Sequence, residues 1–339
     1  MKIFLTVDPE IPVPPKEYGG IERVVAFLVK EYLRKGLDVT LFASQDSSVP
    51  CKLVGWRGRT SRRLRDTLAN TKQLWQEASR QKPDIIHSFS RLNYLSPLLP
   101  TRIAKLMSYQ RHISHRSVQL GAFFAQKSLH FSSCSLSLAK DFMPNSQWHC
   151  IYNGVDTDTY TFIPKVSGDA PLVFLGRIEE IKGAHLAIEI AKLSGKNLIL
   201  AGNVPNTDRG YFKRSIEPHI DHQQIQYWGA VNDEQKNRLL GQCSALLMPI
   251  LWEEPFGIVV IEALASGTPV VGFSRGALPE IIEQGKTGFL AETTSDLLTF
   301  LPKIHTLSRL DCRSSVKTKF DSTVIANQYL ELYKNIINL

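Results

Sequence analysis

The chain is 339 residues long, 43% apolar and 21% charged, with a formal net charge of +8. That length exceeds one ordinary core and fits two domains, and no apolar run reaches the roughly eighteen residues that cross a bilayer. Five scattered cysteines without a Cys-x-x-Cys leave no disulfide framework and no cysteine zinc site, and suit the thiols of a cytoplasmic protein.

In chain order, Met-Lys-Ile-Phe-Leu-Thr-Val-Asp turns acidic too soon for a signal peptide and reads as a first buried strand, Lys2–Val7. A Pro-rich loop leads to Tyr18-Gly19-Gly20-Ile21-Glu22-Arg23 and a helix over Gly20–Lys35. Strand-like runs follow at Val39–Ala43, Ile85–Ser88, Lys105–Gln110, Phe131–Ser133 and His149–Tyr152, with a helix over Thr67–Lys82. After a polar stretch the alternation resumes. Strands are expected at Leu172–Leu175, Asn197–Ala201, Ile225–Trp228, Ala245–Met248 and Pro269–Phe273, and helices over Ala184–Ser194, Asp233–Gln242 and Gly257–Ser266. Strand–helix alternation of this kind predicts α/β architecture with two Rossmann-like, doubly wound parallel sheets. The expected domains are 1–160 and 166–320, joined by a linker near 156–170. The tail, 323–339, has apolar residues at helical spacing and is expected to pack back onto the first domain. Ligands of open parallel sheets bind beyond the strands' carboxyl ends, so a cleft between facing domains is the expected site.

Charge is unevenly shared. Residues 1–165 hold 23 Lys and Arg against 13 Asp and Glu. Arg57, Arg59, Arg62, Arg63 and Arg65, with Trp56 beside them, carry much of the excess and suit either an anionic membrane surface or acceptor, or a solvated helix face. No nucleic-acid motif accompanies them, so nucleic acid is not an expected partner.

The most informative stretch runs from Glu254-Pro255-Phe256-Gly257 through Glu262 to Val271. Pro255 suits a first helical position and Gly267 a helix end, which predicts a helix from about Phe256 to Ser266. Glu254 then lies in the preceding loop and Glu262 on the second turn. The backbone N–H groups of Phe256, Gly257 and Ile258 between them suit an anion. The same two acids also suit a bland role, one complementing a helix dipole and the other solvated. Upstream, Arg177 closely follows a strand and Lys182 precedes a helix, where two cations can neutralise a diphosphate. Gly19 and Gly20 allow a ligand to approach a helix N-terminus closely. His112 follows a strand and is the better placed of two candidate histidines, His87 being the other.

These elements, in this order, resemble the retaining GT-B glycosyltransferases of family four. The resemblance rests on Gly19-Gly20, Asp84-Ile85-Ile86-His87, Asn153-Gly154-Val155-Asp156, Gly176-Arg177 with Lys182-Gly183, Trp228-Gly229, Glu254-Pro255-Phe256-Gly257 through Glu262-Ala263, Gly276-Ala277-Leu278-Pro279-Glu280, and Gly285-Lys286-Thr287-Gly288-Phe289. It implies a GT-B fold and transfer of a hexose-type sugar from a nucleotide-diphosphate donor, a UDP-sugar above all, to an acceptor hydroxyl. By the same resemblance Arg177 and Lys182 hold the diphosphate, Glu262 binds ribose hydroxyls, and Glu254 contacts the sugar beside the Phe256–Ile258 backbone. Gly19 and Gly20 close over the phosphates, and His112 lies near sugar and acceptor. No metal or other cofactor is implied. There are departures: Phe89 stands where a second histidine is usual, Leu37 where one commonly follows the glycine matching Gly36, and Ala277 where the family has glycine, a change expected to alter the loop under the donor. The acceptor loops are expected at Ser44–Arg65 and Leu92–Pro100. Their basic character points to a lipid-linked or anionic acceptor and to peripheral contact with the inner membrane face. A GT-B nucleotide-sugar epimerase and a non-catalytic nucleotide-sugar-binding subunit are the competing readings.

Overall fold

A computed structural model describes residues 1–16, 19–111, 113–143 and 145–338. In chain order the first unit contains β1 (Lys2–Thr6), α1 (Gly20–Arg34), β2 (Asp38–Ala43), β3 (Lys52–Gly55), α2 (Leu64–Gln81), β4 (Ile85–Ser88), β5 (Ala104–Tyr109), α3 (His115–Ala125), β6 (Leu129–Ser133), α4 (Leu136–Ala139) and β7 (Trp148–Cys150). The second contains β8 (Leu172–Leu175), α5 (Ala184–Ser194), β9 (Leu198–Ala201), α6 (Arg209–Ser215), β10 (Ile225–Tyr227), α7 (Asp233–Gln242), β11 (Ala245–Met248), α8 (Ile258–Ala265), β12 (Val270–Phe273), α9 (Leu278–Ile281), β13 (Gly288–Ala291), α10 (Thr294–Phe300) and α11 (Arg309–Lys319). The last helix, α12 (Ser322–Ile337), belongs to the first unit, so the units comprise Met1–Val155 with Ser322–Leu339, and Asp156–Asp321.

Each unit is one parallel sheet, ordered β3-β2-β1-β4-β5-β6-β7 in the first and β10-β9-β8-β11-β12-β13 in the second. The strand order reverses between β1 and β4 and between β8 and β11. In a doubly wound sheet the crossover helices leave toward opposite faces at such a point and open a crevice beyond the strands' carboxyl ends. The central strands are buried on both faces, which is why they read as unbroken apolar runs.

Two strands lie where no strand is expected from the sequence. The edge strand β3, only half-buried, falls inside the expected loop Ser44–Arg65, whose end also starts α2. An edge strand needs no apolar run, so nothing in its composition announces it. The other, β13, is a four-residue edge strand paired with β12. Most of Leu92–Pro100 is likewise ordered, as a 3-10 helix over Leu92–Leu98.

Trp56 does not stand in the basic surface patch. It is buried against Phe42 and Tyr94, and its indole N–H donates to the Val7 carbonyl at 2.7 Å. An aromatic with one polar atom satisfied is best placed in a core, while the neighbouring arginines stay in water. His87 is likewise a core residue. Its ring lies fully buried between Tyr333 of α12, which is bonded to Nδ1, and Ser108 of β5, 2.6 Å from Nε2. Burial holds its pKa well below the ordinary histidine value, so it stays neutral. Tyr333 also meets the Tyr32 hydroxyl of α1 at 3.0 Å, so one phenol joins α12, α1 and β4.

Buried hydroxyls cost more to orphan than they contribute when paired. Tyr333→Phe is therefore expected to lower stability by about 1–3 kcal/mol, read as a lower urea midpoint of the first unit. An unchanged midpoint would contradict the role given to this network.

Candidate active site

Arg177, Lys182 and Glu254 of the second unit lie on the segments that leave the carboxyl ends of β8 and β11, the two strands at its switch point. Gly176 and Arg177 leave β8, and a short 3-10 turn, Glu180–Lys182, brings Lys182 to the start of α5. The chain leaving β11 is tied to that turn by Leu251 N–H donating to the Ile181 carbonyl at 2.8 Å. The tie delivers Glu254 to Lys182. The Lys182 Nζ to Glu254 Oε2 distance is 2.6 Å, with side chains 16% and 10% exposed. The indole N–H of Trp252 donates to the same oxygen at 2.9 Å, and the ammonium sits 4.5 Å from that indole's centre. Arg177 lies beside its own loop acid, Nη1 to Glu179 Oε1 being 2.8 Å.

The helix after Glu254 starts later than expected. Gly257 adopts a left-handed φ of 85° as the N-cap, so α8 begins at Ile258, and Pro255 and Phe256 form the corner before it. A left-handed residue cannot continue a right-handed helix, which is why Pro255 does not occupy its first turn. Phe256 instead anchors the corner, buried against Phe320. Of the three amides expected to face an anion, only that of Ile258 belongs to the helix; Val259 supplies the next, and Val260 already donates to Gly257.

Glu262 lies on the second turn of α8, 4% exposed. One of its oxygens, Oε1, receives both Lys236 Nζ at 2.6 Å and the Tyr160 hydroxyl at 2.7 Å. So Glu254 and Glu262 share a pattern in which one carboxylate oxygen takes a lysine and an aromatic donor. No described group donates to Glu254 Oε1 or Glu262 Oε2.

Ala277, which stands where glycine is usual, occupies a backbone position that alanine adopts without strain. The positive φ falls on Gly276, at 58°, where a Cβ would collide with the Glu254 backbone, while Ala277 is ordinary right-handed backbone. Ala277 N–H donates to the Glu254 carbonyl at 2.9 Å.

In the first unit Gly19 caps α1 and Gly20 is its first residue. A Cβ on Gly19 would meet Pro15 at 2.6 Å and Glu22 Oε2 at 3.0 Å. His112 lies outside the described residues. Beside Gly19 is a carboxyl cluster to which sequence reasoning gave no role. Asp8 accepts from Arg111 at 2.9 Å, and Glu22 is buried with its pKa raised to about 7, chiefly by desolvation and also by the Asp8 charge. An acid in the first turn of a helix reads in sequence as a dipole complement, which is why it escaped notice. Trp252, two residues before Glu254, had a local signal; Tyr160 and Lys236, 102 and 26 residues from Glu262, had none.

Two doubly wound units in tandem, with basic loops and acidic residues at the second switch point, define the architecture of the GT-B glycosyltransferases. Solved structures of that class superpose on the whole chain. Anabaena HepE in complex with UDP and glucose aligns with a TM-score of 0.72 at 19% identity, covering 99% of this chain and 100% of that one. The family model for Glycosyltransferase Family 4 matches residues 18–159 and that for Glycosyl transferases group 1 matches residues 158–305. The chain belongs to this glycosyltransferase family. Among curated relatives, an uncharacterized 41.2 kDa protein in the cps region of Klebsiella pneumoniae is 26% identical over 48% of this chain and 46% of its own length. The phosphatidyl-myo-inositol mannosyltransferase of Mycobacterium leprae is 25% identical over 55% of this chain and 53% of its own. The chain thus spans about half the length of the curated relatives it matches.

The Glu22 carboxyl gives a pH signature. Its folded pKa exceeds the ordinary 4.5, so its contribution to stability is fully present below pH 4.5 and is lost as pH rises to about 7, where only the unfolded chain is freely ionised. Glu22→Gln does not titrate. Its stability relative to the wild type is expected to climb between these limits and then level off, as measured by urea midpoints against pH. A pH-independent difference would contradict the assignment.

Proposed function

We propose that this protein is a retaining glycosyltransferase that moves a hexose-type sugar from a nucleotide-diphosphate donor, a UDP-sugar, to an acceptor hydroxyl. The observation that carries the reading is the near-buried Lys182–Glu254 pair beside Arg177 at the second switch point. A lysine ammonium has three N–H donors, so one can hold Glu254 while two meet phosphate oxygens. Arg177 adds a planar fork suited to the same diphosphate. The sugar hydroxyls then fall to Glu254 Oε1, and the ribose hydroxyls to Glu262. The charge a metal would supply is assigned to Arg177 and Lys182, so no resident metal or other cofactor is part of the reading. Support comes also from HepE, which was solved with UDP and glucose.

The chemistry is a same-face displacement. The bond from the anomeric carbon to the diphosphate oxygen breaks, the acceptor oxygen bonds to that carbon on the same face, and the acceptor proton passes to the departing diphosphate. Arg177 and Lys182 stabilise the charge that develops as it leaves. Resemblance assigns His112 to the sugar and the acceptor, and Gly19 and Gly20 to the phosphates.

Incubation with UDP-, GDP- and ADP-sugars, following nucleoside diphosphate and sugar products, tests the class. Slow release of the diphosphate is expected; an isomerised donor would instead identify an epimerase, and no turnover a binding protein. Lys182→Ala and Glu254→Ala are each expected to lower turnover at least about 10²-fold while the protein stays folded, and near-normal turnover in either would sink the site assignment. His112→Ala is expected to lose transfer but keep UDP binding.

The acceptor is assigned to the lipid-linked or anionic class, and the protein to the cytoplasm at the inner membrane face. The five cysteines, all thiols, suit that compartment. One helix layer of the first unit, α2 and α3 flanking the Leu92–Leu98 turn, presents Leu64 (73% exposed), Leu68, Leu120, Phe123 (76% exposed) and Phe124 to solvent. The five arginines from Arg57 to Arg65 are exposed on or just before α2. Apolar side chains set among cations suit an anionic bilayer. Binding to phosphatidylglycerol vesicles should fall with salt, and Phe123→Ser with Phe124→Ser should weaken it at least about 10-fold. Equal binding to phosphatidylcholine vesicles, or indifference to salt, would remove this part of the reading.

A further inference from the structure

The second carboxylate of the site is held by far more structure than a solvent-exposed helix acid needs. Lys236 sits on α7, whose start is fixed by a reciprocal capping box: Gln235 N–H donates to Asn232 Oδ1 at 2.9 Å and Asn232 N–H to Gln235 Oε1 at 3.0 Å. One turn in, the Lys236 side chain is 12% exposed and reaches Glu262 Oε1 at 2.6 Å, while Asp233, largely in water, stands 3.4 Å away. Tyr160 comes from the segment that opens the second unit, and its backbone is tied on every side. Asn237 Nδ2 donates to the Thr159 carbonyl at 3.0 Å, Asn237 Oδ1 accepts from Thr161 N–H at 3.0 Å, and Arg313 Nη1 donates to the Tyr160 carbonyl at 2.7 Å. The phenol so fixed donates to the same Glu262 oxygen, and its ring lies 5.9 Å from the Lys236 ammonium.

An ammonium and a phenol on one oxygen stop the carboxylate from rotating and leave Oε2 as its accepting atom. A carboxylate bonded to a cation and a hydroxyl through one oxygen has its remaining lone pairs aimed in a set direction, which is what recognition of a ligand hydroxyl requires. We propose that Lys236 and Tyr160 are positioning residues that orient Glu262 Oε2 toward the ribose hydroxyls of the nucleotide. This deepens the nucleotide-sugar reading above and rests on it. The competing account is that the buried pair only fastens α7 to α8. Fastening predicts a loss of stability with no change in which nucleotide is preferred. Positioning predicts that preference for the ribose hydroxyls disappears while the rest of the nucleotide binds as before.

Calorimetric titration of the full chain with UDP and with 2′,3′-dideoxy-UDP separates these outcomes. The wild type is expected to prefer UDP by about 10–100-fold, the range for hydrogen bonds to a charged group. Lys236→Met should reduce that preference to about 3-fold or less while leaving dideoxy-UDP affinity within about 2-fold, and Lys236→Arg should restore most of it. Tyr160→Phe, which deletes one hydroxyl from an otherwise unchanged ring, should lose part of the preference and carries the test if Lys236→Met fails to fold. Full preference in both Lys236→Met and Tyr160→Phe overturns the proposal while leaving the nucleotide reading intact. Wild-type protein that binds UDP and dideoxy-UDP equally overturns the proposal alone, whereas protein that binds none of UDP, GDP and ADP overturns the nucleotide reading as well.

Discussion

The charge pair between Lys182 and Glu254 is the interaction on which the second unit's site depends. Two opposite charges 2.6 Å apart and mostly out of water gain Coulomb energy but lose hydration, and such pairs contribute little net stability. Removing one partner leaves the other buried and uncompensated, which is the costly case. The indole of Trp252 offsets part of the desolvation by donating to the same carboxylate oxygen. The Leu251–Ile181 backbone bond sets the register that makes the pair possible. In a pair held this way each partner keeps further bonding capacity, two N–H donors on the ammonium and one oxygen on the carboxylate.

The backbone around the pair is shaped for it. Gly276 packs against the Glu254 backbone with no room for a Cβ, and Gly257 turns the chain so that α8 starts beyond the Pro-Phe corner. Phe256 anchors that corner in the core by its contact with Phe320. Thus the loop between Glu254 and α8 is fixed from both sides, and Glu262 emerges on the helix at a set distance along the chain.

The first unit uses its polar residues differently. Its buried network of Tyr32, His87, Ser108 and Tyr333 fastens α12 across α1 and β4, the neutral histidine serving as a bridge between hydroxyls. The histidine that a motif reading would place beside a ligand is, in the fold, a core residue. The carboxyls of Asp8 and Glu22 are disturbed too, both raised in pKa chiefly because burial strips water from the charged form.

Periodicity and apolar runs were enough to read two parallel sheets and most of their strands, because buried central strands leave local marks, and the flanking Pro and Gly residues placed Arg177, Lys182 and Glu254 in loops and Glu262 on a helix. The edge strand Lys52–Gly55 left none, since half-exposed strands need no apolar pattern. The start of α8 depended on the φ of Gly257, which composition does not reveal. Trp56 and His87 were drawn toward surface or site by their neighbours in sequence, whereas their burial is decided by residues far along the chain. The pairing of Lys182 with Glu254 across 72 residues, and of Glu262 with Tyr160 across 102, exists only in three dimensions. Sequence determined which chemical groups this protein carries and on which elements. Tertiary structure alone decided which oxygen each group holds, because hydrogen-bond geometry is set by contacts that no local pattern records.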